Sequence, residues 1–282
     1  MAATSTTETM GETKAVPRGK NGSAALKRTI TALVPPTVII IAVLATWQAT
    51  VTTGGVKPSI LPSPQRILEQ GWHARVAIWA NTVPTLQETF LGFAVSLSVA
   101  WGLAVVIDFS AWLGRALMPL LVASQTIPLI AIAPLMVIWF GFGALPKVIV
   151  IALVTFFPVT IGLIDGFNVT DHDATNLLRS MGASRWKQFM YVRLPSTLPS
   201  FFTALRIGIA YAVTGAIFAE YVGAQQGLGI YMATMKNSFR TDLVLAAVAV
   251  AALVSVCLFL LTYVAERLII PWHAKERRRR HA

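Results

Sequence analysis

Asp171–Pro199 reads DHDATNLLRSMGASRWKQFMYVRLPSTLP and is the one long polar segment between apolar spans. Leu177, Leu178 and Met181 recur at helical spacing and share a face, as do Trp186, Phe189 and Met190 farther on. Between the two sets stands Gly182, where a left-handed residue would stop the first helix. The pattern therefore predicts two short amphipathic helices bent at a glycine, Asp173 capping the first and Ser184 starting the second. Pro195 and Pro199 are expected to break the helix before the next apolar span begins near Phe201.

Outward from this segment the chain is strongly apolar. Of its 282 residues 55% are hydrophobic and 12% charged, with a mean hydropathy of +0.67. That composition excludes an ordinary soluble domain. The net charge of +11 would suit a nucleic-acid binder, but the basic residues fall in segments between apolar runs instead of alternating with aromatics. Cys257, the single cysteine, lies in an apolar run, so the chain holds no internal disulfide.

Six stretches approach the roughly 20 residues that a bilayer core requires: 30–51, 86–107, 116–139, 147–164, 201–222 and 243–264. The fold class expected is an all-α integral membrane protein with six transmembrane helices and both termini cytoplasmic. Residues 1–26, rich in Thr, Ser, Gly and Lys, read as a disordered tail; 27–270 form the membrane domain, and 271–282 a basic tail ending in Arg277–Arg280. Lys and Arg favour the side carrying residues 171–199 by well over two to one, which predicts a cytoplasmic loop.

Within the spans, Gly92, Ser96, Ala100 and Ala104 form a strip of small residues for close helix packing. The third span is interrupted by Pro119, Pro128 and Pro134, with Gln125 and Thr126 near its centre. Broken helices with polar residues at depth mark transport pathways. The fifth span is poor in large apolar groups and carries Gly215 and Glu220, candidates for the same pathway, while Arg206 is expected to reach back to the interface. Asp108 and Asp165 read as boundary charges at helix ends. A short amphipathic helix after Leu61-Pro62-Ser63-Pro64 is expected along the outer interface.

Enzyme motifs are missing. The sequence has no Gly-x4-Gly-Lys-Ser/Thr phosphate loop, no His-Glu-x-x-His and no Gly-x-Ser-x-Gly. His73, His172, His273 and His281 lack metal-ligand spacing. An ATP-independent transporter would need a second buried charge on another span, and the hydropathy pattern shows none beside Glu220.

The loop resembles the conserved cytoplasmic segment of bacterial ABC-importer permeases, written EAA, three residues, Gly, nine residues, Ile-x-Leu-Pro. Gly182, Val192, Leu194 and Pro195 match it, whereas Asn176-Leu177-Leu178 replaces Glu-Ala-Ala. From Pro58 to Met232 the chain is similar to the permeases of the nitrate, sulfonate, taurine and thiamine-precursor importer group. Gln125-Thr126-Ile127-Pro128, Trp139-Phe140-Gly141-Phe142-Gly143, Phe156-Phe157-Pro158 and Glu220 to Gly229 carry that likeness. Residues 177–184 and Gly215-Ala216 look most like permeases for thiamine pyrimidine precursors or riboflavin; a sulfonate, taurine or nitrate importer is the alternative.

The resemblance implies a type I importer subunit in the bacterial inner membrane, paired with a second copy. Two cytosolic ATPases would bind ATP and Mg²⁺, which this chain does not, and an extracytoplasmic binding protein would deliver the solute. It also implies that Asn176, Met181, Gly182, Ala183, Ser184, Arg185, Trp186, Leu194 and Pro195 couple to the ATPase. The pathway would be lined by Gln125, Thr126, Pro128, Gly215 and Glu220.

Overall fold

The computed structural model describes residues 21–55 and 57–271, with no β-strand among them. Two units are distinguished, Met1–Gly54 and Gly55–Ala282. The first contains α1 (Asn21–Thr53), with Pro35 and Pro36 inside the helix. Helix α1 includes residues 21–26, which composition had assigned to the tail. The remainder of that tail and the basic segment Arg277–Arg280 lie outside the described residues.

The second unit runs α2 (Pro64–His73), α3 (Arg75–Phe109), α4 (Ala111–Ser124), α5 (Leu129–Phe140) and α6 (Ala144–Asn168). It continues with α7 (His172–Ser180), α8 (Arg185–Gln188), α9 (Leu194–Gly223), α10 (Leu228–Asn237) and α11 (Thr241–Ile269). Five helical stretches among the described residues are long and apolar enough to cross a membrane: Val34–Thr53, Arg75–Phe109, Ala144–Asn168, Arg185–Gly223 and Thr241–Ile269.

The expected third span is instead two shorter apolar helices, α4 and α5. Of its three prolines only Pro128 ends a helix. It lacks an N–H and drives the residue before it out of the α region, so the chain leaves α4 at Gln125 and restarts at Leu129. Pro119 and Pro134 stay inside α4 and α5. Helix α4 also begins earlier than hydropathy suggested, because Ser110 Oγ accepts from Leu113 N at 3.4 Å and starts it there.

Helix α6 lies at the centre, packed on α3 along one side and α9 along another. Lipid tails are as apolar as the side chains, so close approach rather than exclusion of water holds such helices together. The small-residue strip serves that purpose. A Cβ on Gly92 would stand 2.6 Å from Ile151 Cβ, and Ser96, Ala100 and Ala104 are buried. On the other side, a Cβ on Gly166 would lie 2.7 Å from Thr197 Cγ2, and one on Gly208 would lie 3.0 Å from Phe93. Phe93, Ile151, Val159, Leu163, Ala212 and Ala216 fill the space between the three helices. Helix α2 docks on α11 through Asp242, buried between Arg66 and Arg240 at 3.2 and 3.1 Å.

Candidate functional site

Helix α7 is capped by Asp171 rather than Asp173. The Asp171 carboxylate accepts from Asp173 N at 2.8 Å and Ala174 N at 3.4 Å, while Asp173 sits in the first turn, where its charge favours the helix dipole. At the other end Gly182 has φ +78°, the left-handed conformation its position demanded. Gly182 N donates to Arg179 O and Ala183 N to Leu178 O, each at 3.0 Å, the paired closure of a Schellman turn. Ser184 Oγ then accepts from Lys187 N at 3.4 Å and starts α8, as the sequence predicts. Gln188 Nε2 reaches back to Ala183 O at 2.8 Å. The bend is thus tied on both sides.

The prolines do not break the chain after α8. A π turn, Phe189–Arg193, leads directly into α9, with Leu194 N donating to Phe189 O. The physical reason is local: in an α-helix the ring of Pro195 would strike the carbonyl four residues back, and the wider π turn carries the chain past that clash. Pro195 occupies the first turn of α9 and Pro199 lies inside it. Residues 185–223 are therefore one continuous helical rod.

Side chains fix the loop to two other helices. Arg193 pairs with Asp108 at 2.6 Å, so this carboxylate at the end of α3 is buried in an ion pair rather than a free boundary charge. Phe189, also buried, lies 5.5 Å from Phe109, 5.6 Å from Phe167 and 5.7 Å from Trp186, on which it stacks. Outward, the loop exposes Leu177, Met181, Trp186 and Tyr191, with Met181 and Tyr191 each 74% accessible. Asn176, Gly182, Ser184 and Arg185 are exposed with them; Ala183, Leu194 and Pro195 are half-buried behind. A cleft of 350 Å³ at the loop's base is lined by Asp108, Thr175, Arg179, Arg185 and Arg193. The coupling residues inferred from sequence thus share one compact element.

The proposed pathway residues do not converge within the chain. Gln125, Thr126 and Pro128 are exposed at the break between α4 and α5. Gly215 is buried, with Val154 of α6 its nearest neighbour. Glu220 is fully buried at the far end of α9, and its carboxylate accepts from Gly229 N at 2.6 Å. Arg206 does not reach for the interface; it pairs with Glu266 of α11 at 3.1 Å, both side chains largely buried.

Sequence reasoning missed a polar cluster at that far end. Glu88 and Lys147 form a buried ion pair between α3 and α6, which corrects the expectation that no second span carries a buried charge. Lys147 had counted as a loop charge. Asn81 Oδ1 accepts from Gly227 N at 3.0 Å and Thr85 Oγ1 from Leu228 N at 2.8 Å, so α3 grips the start of α10. A cleft of 330 Å³ lined by Glu88, Phe142, Lys147 and Gln225 opens beside the pair. The signal was available: positions 81, 85 and 88 continue the strip 92, 96, 100, 104 toward the helix start.

Residues 89–274 match the family described as "Binding-protein-dependent transport system inner membrane component". The riboflavin transport system permease protein of Chloroflexus aurantiacus is 36% identical, over 84% of this chain and 89% of its own length. The formylaminopyrimidine transport permease protein of Halalkalibacterium halodurans is 35% identical, over 89% of this chain and 100% of its own. For the taurine transport system permease protein of Escherichia coli the figures are 30%, 82% and 87%. A chain from the crystal structure of an amino acid ABC transporter has the same fold, with a TM-score of 0.58 at 16% identity, over 69% of this chain and 95% of its own.

Proposed function

Because the chain belongs to the family of binding-protein-dependent transport inner membrane components, we propose that its Gly182 loop is the handle that a separate ATPase moves. In the same proposal its cargo is a thiamine pyrimidine precursor or a riboflavin-like compound. The chain is a multi-pass inner-membrane permease subunit of an ABC importer for a small solute, and its relatives are transport components rather than enzymes.

The observation that carries the coupling role is the continuity of loop and helix. A doubly tied bend, a π turn and α9 form one stiff element, so displacement at Met181 or Trp186 is delivered along α9 instead of being lost in a flexible joint. The exposed Leu177, Met181 and Trp186 supply an apolar docking face, and the unpaired Arg179 and Arg185 add positive charge beside it. In the assembly we envisage, two copies of this chain face each other across the path. Two cytosolic ATPases carrying ATP and Mg²⁺ grip the loops, and an extracytoplasmic binding protein releases cargo from the other side. Gln125, Thr126 and Pro128 line the path at the helix break.

The cargo assignment rests on the higher identity to the riboflavin and formylaminopyrimidine permeases than to the taurine permease. Proteoliposomes holding this chain, its co-purified ATPase and the binding protein encoded beside it test both parts. ATP-dependent, vanadate-sensitive uptake of riboflavin or formylaminopyrimidine, and not of taurine, is the expected result. Uptake of taurine alone would overturn the cargo assignment, and uptake without an ATPase would overturn the coupling role.

A further inference from the structure

The far-end cluster contains two buried carboxyl groups and one cation. Glu88 Oε1 accepts from Lys147 Nζ, and Glu220 Oε2 accepts from Gly229 N. The other oxygen of each, Glu88 Oε2 and Glu220 Oε1, is buried with no N–H or hydroxyl donor among the described residues. Yet the two carboxyl groups lie within hydrogen-bonding reach of one another. Glu88 is 7% and Glu220 0% exposed, so water does not supply the missing donor. Two ionised carboxylates facing each other in a low-dielectric site repel strongly, and one Lys⁺ neutralises only one of them. A buried acceptor facing another acceptor is costly unless a proton stands between them.

From this geometry we infer that the Glu88–Glu220 pair is a single-proton site, with the proton carried on Glu220 Oε1 and donated to Glu88 Oε2. The cluster then reads Lys147⁺, Glu88⁻, Glu220-COOH and is neutral. Its role is positional. Protonated Glu220 bridges α9 to the α3–α6 ion pair while its second oxygen holds the Gly229 amide, so the start of α10 is fixed to three helices at once. The glycines fit this arrangement. A Cβ on Gly227 would fall directly on the Glu220 carboxyl, and one on Gly229 would lie 2.8 Å from Glu220 Cβ. No other Lys, Arg, Asp or Glu lines the adjoining cleft.

Infrared spectroscopy of the purified full-length chain tests the assignment without knowledge of the cargo. At neutral pH the wild type should show a carboxylic-acid C=O band, distinct from carboxylate bands, that shifts in D₂O and is lost in Glu220→Gln. That variant should keep the wild-type Tm, because the amide still accepts from Gly229 N and donates to Glu88. Lys147→Met removes the cation, so a second proton enters and the band should grow about twofold. Three results would each overturn the inference: no such band in the wild type, a band unchanged in Glu220→Gln, or a band unchanged in Lys147→Met. Should Glu220→Gln not fold, the wild-type and Lys147→Met spectra still decide.

Discussion

Helix α9 has a left-handed glycine beyond each of its ends, and the two are held in opposite ways. Gly182, φ +78°, has nothing within 4 Å of where a Cβ would stand, whereas Gly227, φ +131°, sits directly over the Glu220 carboxyl. At the first end the bend is set by backbone hydrogen bonds and its side chains face outward. At the second, roughly 40 Å away along the helix, the turn is gripped by Asn81, Thr85 and Glu220 from inside. An exposed bend with an apolar face is shaped to be grasped by something else; a buried, fully gripped turn is shaped to stay put. The chain thus pairs a handle with an anchor on one rod.

Substitutions can break or sharpen that contrast. Gly227→Ala adds overpacking against Glu220 to left-handed strain and should cost about 3 kcal/mol or more, read as a fall in Tm of the purified chain. Arg193→Ala leaves the buried Asp108 carboxylate without its partner. It should cost about 1–3 kcal/mol, with the loss restored by the double variant Arg193→Ala/Asp108→Ala. Gly182→Val meets no neighbour, so only about 1–2 kcal/mol of backbone strain is expected. Even so, uptake per ATP hydrolysed should fall about tenfold or more, since each 1.4 kcal/mol of distortion is a factor of ten. Gly182→Asn, which tolerates the left-handed region, should retain coupling. Asn176→Ala, at an exposed position, should shift stability by no more than about 0.5 kcal/mol. A drop in ATPase co-purification in that variant would mark Asn176 as a contact.

The handle was legible because its determinants are local. A glycine between two apolar faces and a serine two residues later specify a bend whatever surrounds them, and Gly182 and Ser184 do as expected. The anchor was not, because Glu88, Lys147 and Glu220 lie on three helices and their meeting is a tertiary fact. Lys147 near a span's end looks the same in sequence whether it faces water or a buried carboxylate. Arg206 was misread for the same reason, its partner Glu266 being far away in the chain. Proline positions misled in a different way. Pro195 and Pro199 act as breakers only if the helix remains strictly α, and one π turn removes that condition. In the third span the break occurred at Pro128 alone, the proline that follows the polar pair Gln125-Thr126.

Spin labels at the exposed positions Lys187 and Thr214, on one copy in the complete complex with its ATPase, measure the lever itself. Pulsed dipolar spectroscopy should give the same narrow distance distribution with and without ATP, because α8, the π turn and α9 move as one body. A distribution that broadens or shifts by several ångströms on ATP binding would show a joint between handle and helix and would contradict the account.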